Sequence, residues 1–175
     1  MPEAKFLVTI NIDPEATDTL LDKVLAEESD SAACEVFKSV EESRVTVGLA
    51  YPHNRPDRGI AKDGFQDFAG RSAVERACWA FTSKSRSIGI NHLDGTEGHG
   101  EVVESAIHRG PDWVTKSDDG QSKIIKDGDW VIAVRWDPET WQNHIKSGRL
   151  KGFSPQGKAK RAIPTPEQLA QLRSD

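Results

Sequence analysis

The segment that most restricts the fold is residues 129–136, DWVIAVRW, which is rich in valine, isoleucine and tryptophan. Branched and aromatic side chains are enriched in strands because they pack well on a half-buried pleated surface. Further segments with a strand-like pattern lie at 5–12, 45–51, 87–92, 101–108 and 153–163. Mostly short connections between neighbouring strands are typical of an antiparallel sheet, so these segments predict one sheet curled into a barrel.

Helices are predicted at three places around these strands. Residues 13–15 and 137–139 both read Asp-Pro-Glu, which supplies an N-cap, a proline at the first helical position and an acid in the first turn. Residues 67–85 place Val74, Cys78 and Phe81 on one helical face, which predicts packing against the sheet. The predicted fold class is therefore α+β, a predominantly antiparallel β-barrel flanked by helices.

A chain of 175 residues is long enough to bury its own core, so we predict a single domain over residues 1–175. It divides into an N-terminal strand and helix at 1–35, a β-barrel core at 36–163 and a C-terminal tail at 164–175. Both ends are rich in charged residues. We therefore expect residues 1–30 and the tail to pack less tightly than the barrel.

Composition restricts the partners and the compartment. A net charge of -5 disfavours nucleic-acid binding, which requires a basic face. No segment approaches the roughly 20 apolar residues of a membrane span. The first 12 residues lack the basic start and long apolar run of a secretory signal. Cys34 and Cys78 are far apart without metal-type spacing, which indicates reduced cytosolic thiols. Neither nucleic acid nor a membrane is expected as a partner.

A candidate nucleophile lies in residues 151–157, KGFSPQG, where Ser154 stands between two glycines and directly before Pro155. Glycine allows backbone N–H groups and a substrate chain to come close to such a serine. Glycine, serine and proline are also common turn residues, so an ordinary turn is the alternative interpretation.

A serine nucleophile needs a base and a group that orients the base. His92 ends a predicted strand and enters a glycine-rich loop, where an imidazole would be fixed at its backbone but open to substrate; the alternative is a surface histidine. Glu104 lies within the next predicted strand and is the candidate orienting group. Its carboxylate could equally lie on a solvated face. Three further side chains compete for the orienting role, namely Asp94, Glu101 and His108.

A metal site is the competing interpretation of this region, because His92, Asp94, Glu97, His99 and Glu101 form a dense group of ligand-type residues. Zinc requires three or four nitrogen, oxygen or sulfur ligands in tetrahedral array. The chain has no HExxH or paired-cysteine spacing, and a glycine-rich loop fixes ligands poorly. The loop also lacks the Lys-Ser/Thr that follows a phosphate-binding loop. No metal or cofactor is predicted.

Taken together, these motifs resemble a known family. The order is a histidine followed by glycine, GEVVES at 100–105, GPDW at 110–113, a tryptophan-rich strand, a tryptophan-containing helix and KSGRLKGFSPQG at 146–157. The pattern resembles serine proteases of the phage XkdF type. These are similar to prohead maturation proteases of tailed phages and, more distantly, to herpesvirus assemblins. The resemblance covers roughly residues 45–161.

The resemblance implies an assemblin-like β-barrel and an endopeptidase that cleaves scaffold and major capsid proteins inside the immature phage head, in the host cytoplasm. It also implies a homodimer. Ser154 matches the nucleophile and His92 the base. Assemblins place a second histidine after the serine; none follows here, so Glu104 takes the orienting role. Pro155 departs from the family pattern and has no N–H. Oxyanion donors would therefore come from Gly157 or residues 158–161.

The alternative on the same fold is a non-enzymatic head-assembly or scaffold-interaction protein. The two functions differ in geometry. An active enzyme should place Ser154 Oγ about 2.6–3.2 Å from a ring nitrogen of His92, or somewhat farther without substrate.

Overall fold

The computed structural model describes residues 6–12, 34–56, 66–90, 97–116, 122–157 and 159–172. The strands in chain order are β1 (Phe6–Ile12), β2 (Cys34–Val40), β3 (Val45–Tyr51), β4 (Ile88–Ile90), β5 (Gly100–Ile107), β6 (Trp113–Lys116), β7 (Ser122–Ile125), β8 (Trp130–Trp136) and β9 (Leu150–Gly157). The helices are α1 (Arg71–Lys84), α2 (Pro138–Thr140) and α3 (Pro166–Ala170). α2 continues into a π-helical turn at Trp141–Ile145. A 3₁₀ turn spans Glu41–Ser43.

Seven of the strands form one sheet in the order β4-β1-β9-β2-β3-β8-β5. The pairing is antiparallel throughout except between β1 and β4, which are parallel. β6 and β7 form a separate antiparallel pair, with Trp113 opposite Ile125. The prediction of a mixed fold with antiparallel strands is therefore confirmed.

The predicted closed barrel is wrong for the described part of the chain. β4 and β5 stand at the two ends of the strand order, and no ladder joins them. A barrel closes only when a staggered ladder of hydrogen bonds continues around every strand. β4 and β5 lie in contact, but their described residues are not joined by backbone hydrogen bonds, so the ladder does not continue from one to the other.

The N-terminal strand is an interior strand of this sheet. β1 pairs with β9 on one side, where Thr9 is opposite Ser154, and with β4 on the other, where Thr9 is opposite Gly89. β1 is hydrogen-bonded to β9 along its length and to β4 at Val8–Ile10, and the looser packing expected of residues 1–30 stays a prediction. The helix predicted from residues 13–15 lies outside the described residues.

Most predicted elements are present with shifted ends. β3 has the predicted bounds, whereas β9 begins at Leu150 and ends at Gly157, earlier than the predicted 153–163. α1 begins at Arg71, after Gly70 as its N-cap residue. None of the described helices is both long and apolar enough to cross a membrane.

One face of the sheet packs against α1. Val74, Cys78 and Phe81 of the helix are buried together with side chains of β8 and β9, and the Phe81 ring lies 5.3 Å from that of Trp130. The Trp130 indole donates a hydrogen bond of 3.0 Å to Ser105 Oγ. Burial raises the pKa of the Cys78 thiol, an effect that outweighs its hydrogen bonds to Ser105 and Thr82. Cys78 is therefore an unreactive core thiol, since the thiolate is the reactive form.

Gly100 begins β5 where the backbone meets the side chains of β8. A Cβ at this position would lie 2.7 Å from Cγ1 of Val134 and 3.0 Å from the Trp136 ring. We expect Gly100→Ala to lower the free energy of unfolding by about 1–3 kcal/mol, because Trp136 is buried and cannot move aside freely. Urea unfolding measures the change. Glu101→Ala, on the exposed neighbour, should stay within about 0.5 kcal/mol of wild type. Equal stabilities for the two variants would contradict the predicted clash.

Asp137 caps α2 as the Asp-Pro-Glu signal predicts. Its carboxylate accepts hydrogen bonds from the backbone N–H groups of Glu139 and Thr140, both at 2.9 Å, and from the Thr140 hydroxyl at 2.6 Å. Burial acts to raise the pKa of Asp137. The hydrogen bonds from Thr140, Glu139 and His99 outweigh it, so the pKa lies below its usual range.

A lowered pKa means that the carboxylate stabilises the fold above the unfolded pKa of about 3.9, and that this stabilisation is lost as pH falls through the folded pKa. We expect Asp137→Ala to cost about 1 kcal/mol at neutral pH. The difference from wild type should shrink in acid. Thermal unfolding from neutral pH to about pH 3 measures this, with Glu139→Ala as the control that keeps the cap. A difference that persists undiminished in acid would exclude the carboxylate as its cause.

The C-terminal segment runs along the surface after β9. Arg161 forms an ion pair with Asp67, and Thr165 and Gln168 form a capping box at the start of α3. Ile163 is 94% exposed. The segment is held by polar contacts rather than by apolar burial, as expected for a loosely packed tail.

Candidate active site

Ser154 lies in the middle of β9, with β1 on one side of the strand and β2 on the other. Successive side chains of a strand point to opposite faces. Phe153 is fully buried in the core shared with α1, so Ser154 lies on the other face of the sheet. Its side chain is also buried, with 3% exposed.

This placement differs from the predicted strand at 153–163, in which Ser154 would be the second residue. The chain turns at Gly148, whose φ of 71° lies in the left-handed region that favours glycine, and β9 begins two residues later at Leu150. The strand therefore starts three residues before the position predicted from Phe153. That earlier start places Ser154 inside a paired strand.

Pro155 follows Ser154 and is opposite Val8 on β1. In the described residues, β2 accompanies β9 only as far as Cys34, which is opposite Phe153. Of the predicted oxyanion donors, Gly157 ends β9, Lys158 lies outside the described residues, and the Arg161 guanidinium is paired with Asp67.

Glu104 is exposed on β5, opposite Ala133 of β8. Its neighbour Ser105 contacts α1 through Thr82 at 2.9 Å, so Glu104 lies on the sheet face away from α1, as Ser154 does. Between their strands lie β2, β3 and β8. The structure thus places Glu104 and Ser154 on one face but does not bring them together through neighbouring strands.

His92, the predicted base, and Asp94, a rival for the orienting role, lie outside the described residues. The distance between Ser154 Oγ and the His92 ring therefore stays a prediction. His108, another rival, is 7% exposed; its Nε2 is 2.8 Å from the Pro111 carbonyl oxygen, and its ring packs at a tilt of 48° against that of Trp113. Glu101 is exposed beside Arg135, 3.7 Å away.

The ligand-type residues near His99 do not assemble in the described part of the chain. His99 Nδ1 lies 3.4 Å from an Asp137 carboxylate oxygen, at the end of β8. Among the described residues, no group of three or more histidine, cysteine, aspartate and glutamate side chains could hold a metal ion. The competing metal interpretation therefore gains no support from these residues.

Sequence reasoning missed one pair of titratable side chains. His53 follows β3, and its Nδ1 lies 2.8 Å from Oδ1 of Asp129, which is 1% exposed. The two residues are 76 positions apart, so no local motif links them. The only signal was that His53 follows one strong strand pattern and Asp129 opens another.

Comparison with known proteins matches most of the chain to one protein family. Residues 33–163 match the family described as "Putative phage serine protease XkdF". A relative, the phage-like element PBSX protein XkdF of Bacillus subtilis (strain 168), is 33% identical over 120 residues. That alignment covers 68% of this chain but 38% of the relative. No solved structure gives a significant match.

The family match spans most of the chain, including β2 to β9 and the segment that carries Ser154. The sequence resemblance to phage proteins of this type is thereby confirmed. The chain is a phage-related protein and belongs to the XkdF family, whose description is that of a serine protease.

Proposed function

We propose that this chain is a phage serine endopeptidase that cleaves scaffold and major capsid proteins during head maturation, with Ser154 as its nucleophile. The observation that carries the proposal is the position of Ser154. It lies within the family match, in the middle of a strand that pairs with β1 along its length, and next to the core residue Phe153. A nucleophile on a rigid strand is held in one geometry, which catalysis by proximity requires.

His92 takes the proton from Ser154 in this proposal, and Glu104 orients the His92 ring. A serine hydroxyl is a weak nucleophile until a positioned base accepts its proton. Glu104 and Ser154 share a sheet face but stand on separate strands, so the imidazole would have to bridge the space between them. The orienting role of Glu104 is therefore the part of the proposal that mutagenesis tests most directly.

The location and assembly state follow from the same reasoning. We place the protein inside the immature phage head, in the host cytoplasm, where scaffold and capsid substrates are concentrated. The proposed fold relationship is to assemblins, with the sheet open rather than closed over the described residues. The proposed assembly is a homodimer.

A second candidate function is a non-enzymatic head-assembly or scaffold-interaction protein on the same fold. Two observations favour it. Ser154 is only 3% exposed, and Pro155 supplies no N–H donor immediately after the nucleophile. An active enzyme on this fold must let substrate reach a buried hydroxyl and take its oxyanion donors from elsewhere.

Incubation with the scaffold and major capsid proteins of the same phage, followed by mass spectrometry of the products, tests the proposal. We expect defined cleavage by the wild type and none by His92→Ala. Glu104→Gln should give a smaller loss, because an orienting group contributes less than the proton acceptor. Intact substrates after incubation with folded wild-type protein would favour the non-enzymatic alternative. Full activity of Glu104→Gln would remove Glu104 alone from the mechanism.

A further inference from the structure

The outer face of α1 is the stripe of exposed side chains that points away from the sheet, formed by Ser72, Arg76, Trp79 and Ser83. Residues spaced three and four apart lie on one side of a helix, so these four project together into solvent. The buried stripe of α1, which packs on the sheet, lies on the other side of the helix. Trp79 stands near the middle of the outer face and is 56% exposed.

The composition of the outer face is that of a binding surface. A solvated helix face is usually stabilised by lysine and glutamate side chains four residues apart, and none of the four residues here is lysine, aspartate or glutamate. Tryptophan and arginine are the residues most enriched at interface hot spots, whereas lysine and the acids are depleted there. Tryptophan is also a weaker helix former than alanine, lysine or glutamate, so folding of α1 does not explain an exposed Trp79.

The charge around the outer face is positive, although the chain as a whole has a net charge of -5. Residues 72–86 carry three basic side chains and one acidic one. The acidic one, Glu75, is bonded to a further cation, Arg109. In the described part of the chain no carboxylate pairs with Arg76 or Arg86, and both are exposed. The outer face therefore presents positive charge to a partner.

Positive charge around an exposed indole selects an acidic partner that also supplies an apolar side chain. Opposite charges across an interface favour the right partner and repel wrong ones. With a rise of 1.5 Å per residue, Trp79 lies about 4.5 Å along the helix from Arg76, and Arg86 lies about 15 Å from it. A segment that covers the outer face therefore needs an apolar side chain for Trp79, with carboxylates on both sides of it.

Two other anionic partners fit the outer face less well. Nucleic-acid binding gains its affinity by neutralising many phosphates with lysine and arginine, and this face offers Arg76 with Arg86 beyond the end of the helix. A membrane-surface helix buries a broad apolar face, whereas Trp79 is the single apolar residue among the four. A protein segment is the partner that these side chains favour.

The outer face is remote from Ser154. α1 packs on the sheet face that carries Phe153, and Ser154 lies on the opposite face of the sheet. A partner bound to the solvent side of α1 therefore contacts this protein far from the candidate nucleophile. Such a contact contributes affinity for the bound protein and takes no part in bond cleavage.

We propose that the outer face of α1 docks an acidic segment of the scaffold protein and recruits this substrate for cleavage. The choice of the scaffold protein rests on the proposed function, whereas the chemistry of the segment follows from Arg76, Trp79 and Arg86. The indole is covered by an apolar side chain of the segment, and the two guanidinium groups bind its carboxylates. Binding of this kind lowers KM for the intact scaffold protein without changing kcat.

Binding of the scaffold protein to the full chain tests the docking directly. Ser154→Ala in every sample prevents cleavage, and isothermal titration calorimetry measures Kd. We expect Trp79→Ala to weaken binding about 30-fold, the usual size of a hot-spot loss, and Arg76→Glu to weaken it about tenfold or more. Raising NaCl from about 50 mM to about 500 mM should weaken binding by the parent protein more than binding by Arg76→Glu.

Two matched controls separate local docking from general effects. Trp113→Ala removes another half-exposed tryptophan, on β6, and Arg135→Glu reverses the same charge on the sheet face away from α1. Both should bind the scaffold protein like the parent protein, and thermal unfolding shows that each variant is folded. Parent affinity in folded Trp79→Ala would overturn the docking, as would equal weakening by Arg135→Glu and Arg76→Glu.

Cleavage assays separate the docking from the chemistry. With Ser154 restored, Trp79→Ala should raise KM for the intact scaffold protein about tenfold or more at unchanged kcat, and should cleave a short peptide that spans the cut site like wild type. No cleavage of either substrate by the wild type would overturn the protease function and leave the binding result standing. The docking is overturned if the folded parent protein does not bind the scaffold protein. It is also overturned if Trp79 is needed instead to bind a single-stranded oligonucleotide or an anionic phospholipid vesicle.

Discussion

Ser154→Ala is expected to reduce cleavage of the scaffold protein by a factor on the order of 10⁴ or more, the usual cost of removing a nucleophile that acts together with its base. Alanine fits the space of serine, so the backbone of β9 and the packing of Phe153 should persist. Loss of one buried hydrogen-bonding hydroxyl should change the free energy of unfolding by only about 1 kcal/mol. Gel analysis of the scaffold protein measures cleavage, and thermal unfolding measures the fold.

Ser105→Ala is the matched control. Ser105 is partly buried and accepts hydrogen bonds from the Thr82 hydroxyl at 2.9 Å and the Trp130 indole at 3.0 Å. Its loss leaves the buried Trp130 indole N–H without this acceptor, whereas the Thr82 hydroxyl keeps its bond to the Cys78 carbonyl oxygen at 2.8 Å. It should cost about 1–3 kcal/mol of stability with little effect on cleavage. Ser154→Ala should therefore abolish cleavage with little loss of stability, whereas Ser105→Ala should lower stability with little loss of cleavage. Undiminished cleavage by folded Ser154→Ala would rule out Ser154 as the nucleophile.

The largest expected loss of stability comes from Trp130→Ala, at about 3–5 kcal/mol. Trp130 is fully buried, its ring lies 5.3 Å from that of Phe81, and it belongs to an interior strand of the sheet, paired with β3 and β5. Removing it leaves a cavity between α1 and β8 and takes away the indole N–H that donates to the Ser105 hydroxyl. Such a loss is a large fraction of the total stability of a domain of this size. Chemical unfolding of the variant and wild type measures the difference.

Trp79→Ala on α1 is the matched control for size and residue type. Trp79 is 56% exposed, so its removal creates no comparable cavity. Its effect should stay within about 0.5 kcal/mol of wild type. A similar loss in both variants would show that the core is not organised around the contact between α1 and β8.

Local patterns in the sequence were sufficient to predict several elements. β3 occupies the predicted residues, β8 lies within the DWVIAVRW segment, and α1 buries Val74, Cys78 and Phe81 as its spacing predicts. Asp137 caps α2 in the way that the Asp-Pro-Glu signal requires. These features depend on side-chain alternation, helical spacing and hydrogen bonds between residues close in the chain, so a single sequence contains them.

The sequence also supplied the candidate residues and the family to which the chain belongs. Ser154 was singled out by its glycine-rich surroundings, and the XkdF match covers that segment. The two residues proposed to act with Ser154 were also named from the sequence, but their roles are not shown by the structure. His92 stays a prediction because it lies outside the described residues. Glu104 stays a prediction whose strand is separated from that of Ser154 by β2, β3 and β8.

Only the tertiary structure decided the order of the strands, the burial of Ser154 and the meeting of His53 with Asp129. β1 enters the sheet between β4 and β9, although its own sequence shows only that it is a strand. His53 reaches Asp129 across 76 positions because β3 pairs with β8. Each of these facts depends on hydrogen bonds between segments distant in the chain. A strand pattern shows that a segment needs neighbours, but backbone N–H and C=O groups are alike in every strand, so the pattern does not show which neighbours it finds.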